Sequence, residues 1–402
     1  MIEPFSVAIA EDSLADLRRR LAAARWMQDF ANESWAYGTN GAYLQELVGY
    51  WLADYDWRRH ERAINSIPQY RTVIDGIPIH FQHIRGKGPN SIPLMLTHGW
   101  PWTFWDFHKL IGPLTDPESH GLDPADSFDL VVPSLPGYGF STPLTTPGLN
   151  FWSTADLWVQ LMDRLGYRRF ATHGGDWGAL LSAQLGHKYA DRLIGAHITL
   201  MSPLDFFSGG AVPAEDYAEG EKGWADRNRQ FFMNEAGYYA LQCTKPQTAA
   251  YALNDSPIGL CSWILEKRRT WSDCGGDVES RFSKDDLLTT VMIYWLTQSY
   301  GTSARFYYEA AHRPWRPAHD RTPVVEAPTG VAVFLNEVVL QPKRWAERYY
   351  NLKRWSIFPT GGHFAPMEEP AALIADISAF FRPLRGGDPP SKASQVQAPK
   401  RP

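Results

Sequence analysis

Cysteine is scarce in this chain. Three occur in 402 residues, Cys243, Cys261 and Cys274, with no Cys-x-x-Cys pair and no zinc-ligand spacing. So odd and sparse a set excludes a disulfide framework and fits free, buried thiols in a reducing compartment. Long apolar runs are missing too: nowhere does the sequence approach the 18 or more uninterrupted apolar residues of a membrane span. The first residues, Met1-Ile2-Glu3-Pro4-Phe5, place no basic stretch before an apolar one, so no secretory signal is expected. Positive charge is not in excess. A formal charge of −5 leaves no basic footprint and argues against nucleic acid as a partner. The expectation is a soluble cytoplasmic protein with no membrane association; a homodimer is compatible with the sequence.

Aromatic residues, by contrast, are plentiful: 17 Trp, 18 Tyr and 20 Phe. Core packing must account for most of them, and an aromatic-lined cavity for some. The 44% hydrophobic and 21% charged composition is that of an ordinary globular protein, long enough for one large domain with insertions or for two domains.

The N-terminal part reads as helical. Asp12 or Ser13 can cap a helix through Leu14 to Leu21, and a second helix is expected over Tyr43 to Leu52. Tyr70 to Ile74, the turn Asp75-Gly76 and Ile77 to Ile84 form a hairpin signature whose alternation suggests one packed and one wet face. From about residue 92 short apolar runs alternate with helical stretches. Ile92 to Thr97 and Phe128 to Pro133 are continuous apolar runs, as buried parallel strands require. Arg168 to Thr172 and Leu193 to Leu200 continue the series. Residues 205–315 read as mostly helical, and strand character returns at Gly330 to Leu335 and near Trp355 to Phe358. The spacing predicts an α/β protein with a mostly parallel central sheet, split by an inserted helical cap. The expected boundaries are an N-terminal wrapping segment at 1–90, a core at 91–204 and 316–385, a cap at 205–315, and a polar, Pro-rich tail at 386–402 expected to be disordered.

One segment carries chemistry. His173-Gly174-Gly175-Asp176-Trp177-Gly178 follows a strand and opens an apolar, helix-prone run. Small residues two before and two after Asp176 suit a strand that turns sharply into a helix, the nucleophile elbow of the α/β-hydrolase fold, with aspartate in place of serine. A carboxylate nucleophile forms an alkyl ester by displacement at carbon, which points to an electrophilic carbon such as an epoxide or alkyl halide. The bland alternative is a glycine-rich turn whose Asp caps the next helix.

Such a nucleophile needs a water activator, an acid to orient it and donors for the oxyanion. His363, in Thr360-Gly361-Gly362-His363-Phe364-Ala365-Pro366-Met367-Glu368-Glu369-Pro370, is the activator by position, on a loop after a strand and before the last helix. Glu337, at the carboxyl end of a core strand, is the orienting acid; Glu326 and Glu347 are its rivals. The order nucleophile, acid, histidine is that of α/β-hydrolases. Thr97-His98-Gly99-Trp100-Pro101 follows another core strand, so the N–H groups of Trp100 and Trp177 are the oxyanion candidates. Trp100-Pro101 is a candidate cis peptide bond.

Together these stretches resemble the epoxide hydrolases of the α/β-hydrolase superfamily, in particular the microsomal and juvenile-hormone type in a soluble microbial form. Asp16 to Leu21, Tyr55-Asp56-Trp57-Arg58, Ile74 to Phe81, Pro133 to Ser141 and Gly174 to Gly178 carry the likeness. The resemblance implies two cap tyrosines that protonate the epoxide oxygen. Tyr238 and Tyr307 match, each followed by a second tyrosine, Tyr239 or Tyr308, that competes for the role. A phenol of ordinary pKa ~10 stays protonated at neutral pH and can donate. Trp102 and Trp105 depart from the family's smaller residues after His-Gly-Trp-Pro and are expected to reshape the substrate pocket.

The resulting expectation is an epoxide hydrolase acting with water on a small-molecule epoxide, bulky or aromatic, without metal or organic cofactor. It fits detoxification or natural-product tailoring alike. A haloalkane dehalogenase shares the Asp ester, and the tyrosine pair argues against it. A non-catalytic ligand-binding protein of the same fold would have no use for the full nucleophile, acid and histidine set.

Overall fold

The computed structural model describes residues 1–386; the tail beyond, with its expected disorder, lies outside the described residues. Among the described residues nine strands form one sheet: β1 (Glu3–Phe5), β2 (Gln69–Ile74), β3 (Ile77–Ile84), β4 (Ile92–Thr97), β5 (Phe128–Pro133), β6 (Phe170–Gly174), β7 (Leu193–Ile198), β8 (Val325–Asn336) and β9 (Tyr350–Gly362). Their order is β1-β2-β3-β5-β4-β6-β7-β8-β9. The first three strands run antiparallel to their neighbours, and β5, β4, β6, β7, β8 and β9 are mutually parallel.

The apolar runs explain the middle of the sheet. Every residue of β4 is buried, as are Leu130 to Pro133 of β5 and all of β6. Helices Phe151–Arg164, Trp177–Lys188 and Pro370–Phe381 pack around the sheet and bury these strands. Chain order reverses around β4, which has β5 on one side and β6 on the other. The carboxyl ends of β4 and β6 therefore open the crevice where sites form in such sheets.

Asp75 and Gly76 both have positive φ, 51° and 79°, the geometry of the tight turn that joins β2 to β3. The alternation expected for this hairpin does not hold along β3, where Ile79, His80, Phe81 and Gln82 are all buried. β3 is paired on both edges, and the His80 ring is held between Gln69 and Ser134 with Phe5, Phe104 and Phe140 around it. Nor do Asp12 and Ser13 cap the first helix. It spans Glu11–Ala22 from Ala10, which makes no side-chain cap bond, and Glu11 and Asp12 instead face the positive end of the helix dipole. The second helix, Gly41–Ala53, is capped by Asn40, whose side chain accepts the Tyr43 N–H at 2.9 Å.

Six α-helices lie between β7 and β8, from Lys222–Asn234 to Tyr300–His312. A buried ion pair, Arg268 to Asp106 at 2.6 Å, joins this layer to the loop after β4. The Tyr294 hydroxyl donates to the Trp102 carbonyl at 2.9 Å beside it. N-terminal residues clasp the same layer through Arg20 to Asp255, Tyr50 to Asp285 and Tyr55 to Thr289. Among the described residues no helix is long and apolar enough to cross a membrane.

Candidate active site

Between β6 and helix Trp177–Lys188 the chain turns at Asp176, which has φ 49° and ψ −123°. Non-glycine residues rarely hold such a conformation, and the surroundings must impose it. They do so by close approach. A Cβ on Gly174 would lie 2.3 Å from the Gly178 carbonyl carbon, and one on Gly178 would lie 1.8 Å from the Thr97 oxygen. Backbone therefore packs on backbone on both sides of Asp176, and its side chain projects into the crevice.

The carboxylate meets the loop after β4. The Trp100 N–H donates to Asp176 Oδ1 at 2.8 Å, and Gly99 leaves the space for that approach. Trp100-Pro101 is a cis peptide bond, as the sequence suggests. Burial raises the Asp176 carboxyl above the usual range; the charge of His363 and the N–H groups of Trp100 and Trp177 oppose it.

His363 sits just past β9, with Nε2 3.8 Å from Asp176 Oδ2. Its Nδ1 is 2.6 Å from Glu337 Oε1, directly after β8. The rivals lie elsewhere: Glu326 pairs with Arg321 and Glu347 with Lys343. Burial alone would lower the His363 pKa, but the nearby charges of Glu337 and Asp176 outweigh it and raise it. The rings of Trp271 and Trp102 stand edge-on to the imidazole, 5.2 and 5.5 Å away between centroids.

Tyr238 and Tyr307 come from two helices of the insertion, Gly237–Thr244 and Tyr300–His312, and line the same cleft as Asp176. Their rings are 6.0 Å apart. Trp100 stacks on Tyr238 at 5.1 Å, and Trp177 stands edge-on to Tyr307 at 4.6 Å. Burial and the Asp176 charge push both phenols well above their usual pKa, so both stay protonated. Tyr308 turns outward and stacks on His312, whereas Tyr239 lines the cleft beside Phe206 and Phe207.

Trp102 and Trp105 do not line this cleft. Trp102 is fully buried behind the elbow, where a Cβ on Gly175 would come within 2.8 Å of its ring, and Trp105 stacks on His108 at 4.6 Å. The expected reshaping of the pocket by these two indoles gives way to a supporting position for Trp102 under His363. The reason is what each ring packs on: Trp102 lies among Phe107, His363 and Phe364, and Trp105 is half-buried against His108.

A family profile described as epoxide hydrolase N terminus matches residues 2–107, and one described as alpha/beta hydrolase fold matches residues 92–234. A Stigmatella aurantiaca relative assigned to the epoxide hydrolases is 43% identical over 96% of this chain and 86% of its own. The chain belongs to the epoxide hydrolase family. Epoxide hydrolase 1 of Oryctolagus cuniculus is 36% identical, over 94% of this chain and 88% of its own. Among solved epoxide hydrolases, the juvenile hormone epoxide hydrolase of Bombyx mori matches with a TM-score of 0.84 at 30% identity, over 96% of this chain and 95% of that one. The Aspergillus niger epoxide hydrolase matches with a TM-score of 0.83 at 28% identity, over 96% and 97%. The nine-stranded sheet with its insertion is thus the α/β-hydrolase fold of an epoxide hydrolase.

The cleft of this epoxide hydrolase spans about 660 Å³, open solvent at its mouth included. Leu180, Met201, Phe206, Phe207 and Phe231 form much of its wall, with Gln341 a polar exception. Sequence reasoning assigned none of these. The pairs Phe206-Phe207 and Phe231-Phe232 were the visible signal, two adjacent aromatics each in polar surroundings, where core packing alone would favour spacing by three or four.

Proposed function

We propose that the enzyme hydrolyses an epoxide bearing a bulky or aromatic group to a vicinal diol through an ester on Asp176. One carboxylate and two protonated phenols on a single apolar cleft, with a His–Glu pair set against that carboxylate, carry this reading. Asp176 Oδ1 is held by the Trp100 N–H, which leaves Oδ2 free to attack an epoxide carbon. As the new C–O bond forms, the epoxide C–O bond breaks and its oxygen takes a proton from Tyr238 or Tyr307. Acid help of this kind is worth about 10²–10⁴ in rate.

In the second step His363, oriented by Glu337, takes a proton from water as the water oxygen attacks the Asp176 carbonyl carbon. Negative charge then collects on the oxygen facing the N–H groups of Trp100 and Trp177; such donors contribute about 10²–10³ each. The ester bond breaks, the departing diol oxygen takes the proton from His363, and the proton left on the Asp176 carboxyl returns to the tyrosinate, which regenerates both side chains. The apolar wall of the cleft favours substrates with a large hydrophobic group.

Intact mass of the His363→Gln variant, after exposure to a panel of epoxides and haloalkanes, tests the reading. An epoxide adduct that is absent in the Asp176→Asn, His363→Gln double variant is the expected result. A haloalkane adduct alone would reassign the chemistry to dehalogenation, and no adduct on folded protein would remove the ester mechanism.

A further inference from the structure

The segment carrying His363 lies past the end of β9, so no strand ladder sets the imidazole. Its backbone is instead held at three successive N–H groups. Gly362 N–H donates to Glu368 Oε2 at 3.0 Å, His363 N–H to the Trp271 carbonyl at 2.9 Å, and Phe364 N–H to Glu368 Oε1 at 2.8 Å. A further donor, the Asp273 N–H, reaches Glu368 Oε2 at 2.7 Å. Glu368 is 7% exposed and makes no ion pair among the described residues. An isolated buried carboxylate is costly unless hydrogen bonds replace water. Here every contact is a backbone donor, and these three N–H groups favour the ionised carboxylate against the burial that raises its pKa to about 7.

Two of those donors flank His363 directly, and the third belongs to the helical insertion. Asp273 also accepts the Gly361 N–H at 2.9 Å through Oδ2, and Arg281 ties Asp273 to Glu369, at 2.9 Å to each. Trp271, whose carbonyl holds the His363 N–H, packs its ring 4.9 Å from that of Tyr238. The seat of the histidine is therefore built jointly by the last core strand and by the insertion that supplies the phenols.

We propose that Glu368 is the positioning residue for His363, and that it governs ester hydrolysis while leaving ester formation alone. This rests on the two-step reading above. Ester formation uses Asp176, Tyr238 and Tyr307, none of which Glu368 touches. Hydrolysis needs Nε2 aimed at a water between it and Asp176, and a displacement of about 1 Å can lower such a step about 10²-fold. Glu368→Gln keeps the volume but turns an NH₂ group toward an N–H donor, which pushes the loop away.

The test is steady-state and single-turnover kinetics with styrene oxide on wild type, Glu368→Gln, Glu368→Asp and His363→Gln. For Glu368→Gln we expect kcat to fall about 10–100-fold with kcat/KM within about twofold of wild type, and ester to accumulate in the intact mass. Glu368→Asp, which keeps the charge, should recover part of kcat. Equal losses in kcat and kcat/KM, or no accumulated ester in folded Glu368→Gln, overturn the proposal. If Glu368→Gln does not fold, the same split in Glu368→Asp decides. Ester in His363→Gln without ester in Glu368→Gln removes only the role of Glu368, whereas no ester in His363→Gln removes the mechanism beneath it.

Discussion

Asp176 holds its strained backbone because Gly174 and Gly178 let two strands and a helix touch there. Gly178→Ala would drive a methyl group into the Thr97 carbonyl, 1.8 Å away in the unrelaxed structure. The expected loss is about 3 kcal/mol or more in urea unfolding, at the upper end of overpacking effects; a loss under about 1 kcal/mol would mean the elbow relaxes freely. Tyr307→Phe keeps the ring that packs on Trp177 and removes only the hydroxyl. Single-turnover ester formation should fall about 10²-fold with the melting temperature unchanged. Ester hydrolysis should also depend on pH through His363, which must be neutral to accept a proton. Its pKa is raised by Glu337, so the rate should drop as pH falls through that raised value. Glu337→Gln removes the raising charge and should move the inflection to lower pH, as well as slowing the step.

At the scale of elements, Asp376 ties helix Pro370–Phe381 to two strands. It accepts from His197 of β7 at 2.9 Å, and from Arg354 and Ser356 of β9 at 2.7 and 2.6 Å. Burial alone would raise its carboxyl, but these donors outweigh it and hold it at about 2. A depressed carboxylate contributes stability above its unfolded pKa and loses it as pH falls through the folded one. The contribution is about 2 kcal/mol, lost between roughly pH 4 and 2, and Asp376→Asn should flatten that part of a melting-temperature profile. Strand ends were less legible than strand centres for a related reason. β9 begins at Tyr350, well before Trp355, because it pairs with β8 along a half-wet stretch that includes exposed Lys353. Its ladder bonds come from the backbone and leave no apolar run to read. The buried middle of β4 and β5, by contrast, shows directly in Ile92 to Thr97 and Phe128 to Pro133.

Across the whole molecule, the insertion is fastened to the core by Arg268 and Asp106, whose side chains are 2% and 3% exposed. Asp106 also accepts the Thr103 N–H at 2.8 Å, so one carboxylate serves both the joint and the loop after β4. Asp106→Ala would leave Arg268 buried and unpaired, at a cost of about 3–5 kcal/mol. Adding Arg268→Met should recover part of that loss, as chemical denaturation of the single and double variants would show. If the double variant is no more stable than Asp106→Ala, the lost cap bond rather than the unpaired charge dominates.

The sequence by itself determined the elbow at Asp176, the order in which Asp176, Glu337 and His363 follow one another, and the parallel strands that carry them. These are local matters: glycine where backbones touch, apolar runs where both faces are covered, and flexible residues where strands end. It also pointed to Tyr238 and Tyr307, through resemblance. Only the tertiary structure decided that Glu337 rather than Glu326 meets His363, that Trp102 lies behind the site and Trp105 away from it, and that Glu368 faces inward to three backbone donors. Each of these depends on which distant segments bury one another. A glutamate in an acidic, proline-flanked stretch looks the same whether it meets water or seats a histidine, and the difference arises only when the insertion closes over β9 and excludes the water.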